Sequence, residues 1–129
     1  MTKRTFMTEK GPRSVGPYST ATIYNGFVFV SGMGPIDPNT NKVIASSVEE
    51  QARTMFTNVK TVLEELGSSM NDVLKVTLYL KDIQDFALVN QIYKEFFDKD
   101  YPARTTLQAG KLPLDFSMEV DVIAAYKEK

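Results

Sequence analysis

One arginine, Arg104, stands at the mouth of a predicted β-strand in the segment YPARTTLQAGKLP, and it is the first candidate for chemistry in this chain. The chain contains no histidine and no cysteine. Any reaction near neutral pH must therefore proceed without the two side chains that most often carry such chemistry. From the residues alone, a surface salt bridge is the simpler interpretation of Arg104, and a ligand-binding role is the alternative.

Composition excludes several classes of protein. A length of 129 residues with 43% hydrophobic side chains predicts one compact domain over residues 1–129. A net charge of −1, from 15 basic and 16 acidic residues, argues against nucleic acid as the main partner. A metal site would need oxygen ligands alone, so we expect none. The N-terminal MTKRTFMTEKGPRS lacks the apolar core of a secretory signal, so we expect a soluble cytoplasmic protein without a membrane anchor.

The first third of the chain predicts a β-hairpin. Asn25 and Gly26 separate two β-rich runs and supply the positive φ angles of a two-residue turn. The second arm, FVFV at residues 27–30, is apolar at four consecutive positions, which predicts a strand with apolar side chains on both faces. A short strand over residues 43–45 is expected before the first helix.

Two amphipathic helices follow. Ser47 as N-cap, Glu50 as its partner in a capping box, and Gly67 as terminator bound the first helix. The second runs from about residue 85 to residue 97, with Asp82 or Asp85 as its start signal. Apolar side chains at helical spacing predict the buried stripes: Val48, Ala52, Met55, Phe56, Val59, Leu63 and Leu66 in the first helix, and Phe86, Val89, Tyr93, Phe96 and Phe97 in the second.

Alternating segments predict three more strands. In VLKVTLYL, between the helices, Leu74, Val76, Leu78 and Leu80 share one face, and Lys75, Thr77 and Tyr79 share the other. Residues 104–109 and 117–126 also alternate and are joined by a turn through residues 112–115. In the last strand the core face carries Met118, Val120, Val122, Ala124 and Tyr126, and the opposite face carries Ser117, Glu119, Asp121, Ile123 and Ala125.

The order ββ(β)αβαββ predicts an α+β fold in which two helices cover one face of a sheet. The uncovered face still carries Ile123, Ala125 and one set of side chains from FVFV. A monomer rarely exposes that much apolar surface, so we expect this face to be buried against copies of the same chain in a closed oligomer.

Six segments stand in register across residues 16–125: GPYSTA, SGMGPIDPNT, EEQARTMFTNVKTVLEELG, DVLKVTLYLKDIQDFALVNQIYKEFF, PARTTLQAGKLP and MEVDVIAA. In this order and spacing they closely resemble the RidA family of reactive intermediate deaminases, also called the YjgF family. The resemblance implies a chorismate-mutase-like fold of the bacillus type and a homotrimer with sheets inward, helices outward and ligand clefts between subunits. It also implies cofactor-free hydrolysis of enamines and imines such as 2-aminoacrylate to 2-ketoacids and ammonia, as 2-iminobutanoate/2-iminopropanoate deaminases do.

The resemblance also implies site residues. Arg104 corresponds to the arginine that binds the substrate carboxylate, and a planar guanidinium matches a carboxylate as a two-pronged donor. Glu119 corresponds to the glutamate that orients or activates water; its simpler interpretation is a sheet-edge carboxylate paired with a lysine. Tyr18, Gly32 and Asn90 correspond to residues that line the cleft, with a packed aromatic, a plain turn and a polar helix residue as the alternatives.

Three positions depart from the usual pattern of the family. Thr106 replaces a common cysteine, and the resemblance implies that this position supplies a backbone N–H to the carboxylate, so the side chain matters little. Met33 replaces a common glutamine, which trades an amide for an apolar thioether near the cleft and bears on the preferred substrate side chain. Asn41, where glycine is frequent, is a tolerable turn substitution.

Two other functions stay open on the sequence. A binding or regulatory protein on the same scaffold would keep the cleft and Arg104 without turnover. A ribonuclease or translation inhibitor would need a basic groove, which the charge balance does not favour.

Overall fold

A computed structural model of the chain describes residues 2–127. A mixed six-stranded sheet has the strand order β1-β2-β3-β8-β6-β7, and β4 and β5 form a separate small hairpin. The strands are β1 (Arg4–Phe6), β2 (Ala21–Tyr24), β3 (Phe27–Met33), β4 (Ile36–Asp37), β5 (Lys42–Val43), β6 (Val73–Leu80), β7 (Ala103–Gln108) and β8 (Met118–Ala125), and the helices are α1 (Val48–Glu65) and α2 (Phe86–Phe96). The predicted α+β class, with two helices and one main sheet, is confirmed.

The predicted hairpin joins β2 to β3. Tyr24 and Phe27 are register partners, and Asn25 and Gly26 between them have φ angles of 50° and 84°. Positive φ at both positions is the type I′ geometry that matches the twist of a hairpin. The structure adds β1, which the sequence did not predict and which pairs antiparallel with β2. A segment of three residues is too short for alternating apolar and polar side chains to predict a strand.

Helix α1 begins and ends where the sequence predicts. The Ser47 hydroxyl accepts a hydrogen bond from the backbone N–H of Glu50. The Glu50 carboxylate bonds to Arg53 instead of returning to Ser47, so half of the predicted capping box forms. Gly67 has a φ of 83°, and Ser68 N–H donates to the carbonyl of Leu63. This left-handed residue and six-to-one bond are the usual glycine termination of a helix.

Strand β6 corrects one predicted face. The register of β6 against β8 shifts between Val73 and Lys75, so that two residues of β6 oppose Ala124. This bulge buries Val73 and leaves Leu74 46% exposed, whereas simple alternation predicts Leu74 in the core. Beyond the bulge, the predicted core side chains of β6 are buried as expected: Val76, Leu78 and Leu80.

Two further boundaries differ from the sequence prediction. The strand expected at residues 43–45 is β5, one arm of the hairpin with β4, and it includes only Val43 of the three predicted residues. Asp82 caps a 3-10 turn by accepting from Gln84 N–H, and α2 then starts without a side-chain bond from Asp85. The stripe of α2 is also shifted: Ile92 is buried, while Phe86 is exposed.

The main core lies between the two helices and one face of the sheet. Of the predicted core side chains of the last strand, Met118, Val120, Val122 and Ala124 are buried, whereas Tyr126 lies just beyond β8 and is half-buried against the core. On the opposite face, Phe27 pairs with Ala125 and Phe29 with Ile123, and both phenylalanines are 42% exposed. One face of the sheet is therefore both apolar and uncovered by helices, as predicted. Within residues 2–127, no helix is long and apolar enough to cross a membrane.

Candidate functional site

Arg104 lies on the helix-facing side of β7, the strand at one edge of the sheet. Its register partner on β6 is the buried Val76, and aligned residues of paired strands point to the same face. Its Nη2 donates to Asn90 Oδ1 at 2.6 Å, and its Cζ lies 4.6 Å from the ring centroid of Tyr93. Phe86 presents a second ring, at 5.5 Å. Among residues 2–127, Arg104 forms no salt bridge, so its charge is held by neutral partners.

A cavity of about 290 Å³ opens beside Arg104. It is lined by Asn90, Tyr93, Lys94, Tyr101, Pro102 and Arg104. The Tyr93 hydroxyl is buried without a hydrogen-bond partner; burial raises the pKa of this phenol, and the charge of Arg104 opposes that shift. Stacked rings and an amide oxygen orient the guanidinium without neutralising it. Its remaining N–H groups can therefore bind an anion from this cavity.

Glu119 lies on the opposite face of the sheet. It occupies β8 between the buried Met118 and Val120, so its side chain points away from the helices. A cleft of about 400 Å³ contains it. The cleft is lined mainly by apolar groups, including Val15, Met33, Ile36, Leu114 and Phe116, together with Tyr18, Gly32 and Glu119. We call it the Glu119 cleft.

The Glu119 carboxyl is electrostatically unfavourable in its charged form. Burial raises its pKa above the usual 4.5, and the negative charge of Asp121, two residues along the same face, raises it further. Asp121 in turn accepts a hydrogen bond from the Tyr79 hydroxyl at 2.9 Å. No lysine neutralises Glu119 among the described residues. A carboxyl whose pKa is raised holds its proton more readily than usual, and this suits a group that must take up and return a proton.

Gly32 makes room for this carboxyl. A Cβ at position 32 would lie 2.6 Å from Glu119 Oε2, closer than any real contact of this kind. The sequence-based reason for glycine here is a backbone that faces a ligand; the structure adds the approach of Glu119 as a second reason.

Tyr18 adds a phenolic hydroxyl to the Glu119 cleft. The residue is 47% exposed, and its phenolic oxygen accepts from the backbone N–H of Val15 at 3.3 Å. It is thus not packed in the core, which was the alternative interpretation. Met33 belongs to the main core and also lines the Glu119 cleft.

The predicted residues form two groups within one chain. Arg104 and Asn90 lie together on the helix side, and Tyr18, Gly32 and Glu119 lie together on the other side. Thr106 shares the Arg104 face of β7 and lines neither cavity. Strands β8 and β7 are separated by β6, which corresponds to about 10 Å in the plane of the sheet.

Some contacts were not found from the sequence. Asp121 was within reach of prediction, because alternation places it beside Glu119 on one face. The stacking of Tyr93 and Phe86 on Arg104 was not, since it joins a helix to a strand. Among the described residues, no three acidic, histidine or cysteine side chains cluster in a way that could hold a metal ion.

Comparison with known proteins defines the family. The family model described as endoribonuclease L-PSP matches residues 8–126. A RutC family protein of Pyrococcus abyssi is 45% identical over 128 residues, which cover 99% of this chain and 100% of the relative. A crystal structure of RidA from the Antarctic bacterium Psychrobacter has a TM-score of 0.90 at 34% identity, over 95% of this chain and 98% of that one. The chain therefore belongs to the RidA family, also described as the endoribonuclease L-PSP family.

One relative carries a name that refers to an activity. Escherichia coli TdcF, named provisionally as a reactive intermediate deaminase, is 37% identical over 125 residues, which are 95% of this chain and 96% of TdcF. A crystal structure of TdcF with bound serine has a TM-score of 0.90 at 35% identity, over 96% of this chain and 99% of that one. The family thus includes a protein with a deaminase name and a structure that holds a small amino acid.

Proposed function

We propose that this protein hydrolyses reactive enamines and imines of the 2-aminoacrylate type to 2-ketoacids and ammonia, as a 2-iminobutanoate/2-iminopropanoate deaminase. The observation that carries the proposal is the unneutralised guanidinium of Arg104, fixed by Asn90 and Tyr93 beside an open cavity. An arginine kept free of carboxylates in a preorganised position is suited to a ligand carboxylate. The proposal extends to one RidA-like domain over residues 1–129 that acts in the cytoplasm without a cofactor.

Arg104 binds the substrate carboxylate in this proposal, and Asn90 keeps the guanidinium in register for a two-pronged contact. Strand β7 lies at the edge of the sheet, so some of its backbone N–H groups point away from β6. We assign Thr106 to this edge as a backbone donor to the same carboxylate. These contacts fix the substrate and leave its imine carbon open to attack.

Glu119 moves the protons. The enamine first tautomerises to the imine, and water then forms a C–O bond to the imine carbon. Glu119 takes a proton from this water while the imine nitrogen gains one, which gives a carbinolamine. Glu119 then returns its proton to the amino nitrogen as the C–N bond breaks and ammonia leaves, and the hydroxyl proton passes to solvent in place of the one that the imine nitrogen took up, which gives the ketone. The raised pKa of Glu119 brings the carboxyl nearer to the pH at which it must both accept and return a proton. Tyr18 and Gly32 shape the surrounding wall.

The site requires more than one copy of the chain in this proposal. Arg104 and Glu119 lie on opposite faces of one sheet, so one small substrate does not reach both in a single subunit. A homotrimer with sheets inward would bury Phe27 and Phe29 and bring Arg104 of one subunit to the Glu119 cleft of its neighbour. Light scattering at micromolar concentration should return three times the monomer mass of 14.5 kDa. A monomer mass would contradict the intersubunit site.

The decisive experiment is ketoacid release from freshly generated substrate. A pyridoxal-phosphate dehydratase acting on serine supplies 2-aminoacrylate in the cuvette, and lactate dehydrogenase with NADH reports pyruvate. The protein should shorten the lag before pyruvate forms, in proportion to its concentration. Imines made in the same cuvette from larger amino acids by an amino-acid oxidase would rank the substrates. Pyruvate formation at the rate of buffer alone, for a protein of verified trimer mass, would refute the deaminase.

A binding or regulatory protein is the second candidate, because TdcF is known with serine in its crystal structure. It predicts saturable binding of serine or a 2-ketoacid, measured by calorimetry, with no acceleration of ketoacid release. The description endoribonuclease L-PSP motivates one further assay, cleavage of a labelled single-stranded RNA. The near-zero net charge argues for no cleavage at physiological salt.

A further inference from the structure

The wall of the Glu119 cleft includes a short stretch of loop that is held in place by a distant turn. We call residues 13–15, that is Arg13, Ser14 and Val15, the rim segment; all three line the cleft. The segment belongs to neither a helix nor a strand. Loop segments keep one conformation only where other groups bond to their backbone.

Asn41, in the turn between β4 and β5, makes two bonds to the backbone of the rim segment. Its Oδ1 accepts from Arg13 N–H at 2.8 Å, and its Nδ2 donates to the Arg13 carbonyl at 3.3 Å. One side-chain amide thus engages both backbone groups of a single residue, as a neighbouring β-strand would. The Arg13 side chain adds a third bond to the same turn, because its Nη1 donates to the carbonyl of Pro38 at 3.3 Å.

The conformation of Asn41 explains why an asparagine serves here. Its φ is 58°, in the left-handed region that glycine favours and that asparagine and aspartate adopt more readily than most other residues. Glycine would form the same turn, yet it has no amide with which to reach Arg13. The side chain is therefore not required by the turn, and its two bonds to Arg13 are what distinguishes it from glycine.

The rim segment is connected to Tyr18. Val15 N–H donates to the Tyr18 phenolic oxygen at 3.3 Å, and Tyr18 N–H donates to the Gly16 carbonyl at 2.8 Å. Arg13, to which Asn41 is hydrogen-bonded, is thus two positions before Val15, whose N–H orients the Tyr18 ring. A change at Asn41 would be transmitted to a side chain that faces the same cleft as Glu119.

We propose that Asn41 is a positioning residue that fixes the rim segment, and through it Tyr18, and so sets the affinity of the Glu119 cleft for its ligand. Asn41 itself also lines this cleft, so faster amide exchange at Arg13 and Val15 is the readout that separates its positioning role from direct contact with the ligand. The inference rests on the proposed function for the identity of the ligand, a 2-imino acid or its 2-ketoacid product. A preordered wall lowers the ordering cost of binding, whereas a loosened wall must be ordered again each time a ligand enters.

The test compares Asn41→Gly with a matched Asn39→Gly. Both lie in the β4–β5 turn and lose the same side chain, but Asn39 is bonded there through its backbone N–H to Asp37. Asn41→Gly should raise KM for the imine, and Kd for 2-oxobutanoate measured by calorimetry, about three- to tenfold, with kcat within about twofold. Asn39→Gly should leave all three unchanged. Asn41→Asp keeps the acceptor for Arg13 N–H and should fall between the parent and Asn41→Gly.

Hydrogen exchange gives a second readout that needs no turnover. The amide protons of Arg13 and Val15 should exchange faster in Asn41→Gly, while those of the core strands β6 and β8 keep the rates of the parent. Unchanged exchange at Arg13, or faster exchange without any change in KM and Kd, would overturn the proposal. So would a general acceleration of exchange with a lowered melting temperature, since that pattern marks a purely structural role. If the unsubstituted protein neither releases ketoacid nor binds it, the proposed function and the ligand assigned to the cleft are both refuted. Amide exchange at Arg13 would then still decide whether Asn41 fixes the rim segment.

Discussion

The cavity beside Arg104, which we call the Arg104 pocket, and the Glu119 cleft lie on opposite faces of the same sheet, and their surroundings have opposite effects on charge. In the pocket, an amide oxygen and two aromatic rings stabilise a cation. In the cleft, apolar walls and the neighbouring Asp121 disfavour an anion. One region surrounds a guanidinium with neutral partners, and the other raises the pKa of a carboxyl.

Because the sheet separates the two regions, Arg104 does not lower the pKa of Glu119 within one chain, and Glu119 does not neutralise Arg104. A guanidinium within about 4–6 Å of a carboxyl favours the ionised form and lowers the pKa of that carboxyl. The raised pKa of Glu119 agrees with the absence of such a neighbour within its own chain. Had Arg104 and Glu119 met in the folded monomer, they would have formed a salt bridge, and neither would be available to a ligand. The difference teaches that a sheet can act as a spacer between opposite charges until a ligand lies between them.

The largest expected effect follows loss of the proton-transfer group. Glu119→Gln should lower kcat by about 10²–10⁴-fold, which is the usual contribution of a positioned acid or base, with a smaller change in KM. A carboxyl whose pKa is raised by folding makes the folded protein less stable as pH rises through that pKa, whereas an amide does not titrate. The melting temperature of Glu119→Gln at neutral pH should therefore equal or exceed that of the parent. An undiminished kcat in a correctly assembled variant would make Glu119 structural.

Removal of the Arg104 guanidinium, the proposed clamp on the substrate carboxylate, should have the next largest effect. Arg104→Ala should cost about 3 to 5 kcal/mol of binding, on the order of a hundredfold or more in kcat/KM, because two charge-assisted hydrogen bonds disappear. Arg104→Lys should recover little, since a point charge does not reproduce the fork. Arg53 supplies the matched control: it is bonded to Glu49, Glu50 and Glu95, so Arg53→Ala should keep full activity. Equal losses for both arginines would point to folding and not to a clamp.

Mixing the two inactive variants would sharpen the comparison of the regions. Arg104→Ala and Glu119→Gln subunits, unfolded and refolded together at equal amounts, should regain about a quarter of the parent activity if each site takes one residue from each neighbour in a trimer. A quarter follows because a site is intact only when both neighbours are of the required kind. Activity that stays at the level of the separate variants would place both residues within one subunit.

The smallest effect concerns the electrostatics of the cleft. Asp121→Asn removes the like charge beside Glu119 and should lower the pKa of Glu119, so that the acidic limb of the kcat profile moves to lower pH. Asparagine still accepts from the Tyr79 hydroxyl through its side-chain oxygen, which limits structural change. Burial, the larger cause of the shift, remains in this variant. A limb that moves to higher pH would contradict the assignment of Glu119 as the titrating group.

Local signals in the sequence were reliable wherever neighbouring residues decide the structure. The turn at Asn25 and Gly26, the cap at Ser47 and the termination at Gly67 depend on backbone angles and bonds within one turn of chain. The same holds for the alternation that puts Glu119 on the face away from the core. Each of these follows from residue type and spacing, and each was predicted.

The tertiary structure decided what depends on distant partners. The bulge that turns Leu74 outward is set by pairing with β8, about fifty residues along the chain. The hydrogen bond between Asn41 and Arg13 joins residues 28 positions apart, and the bond from Arg104 to Asn90 joins a strand to a helix. Which groups carry charge and which faces are apolar follows from side-chain chemistry and the period of each element, and so could be predicted from the sequence. Only folding decided which of those groups meet, because contacts between distant segments depend on the packing of the whole chain, and it kept Arg104 and Glu119 apart.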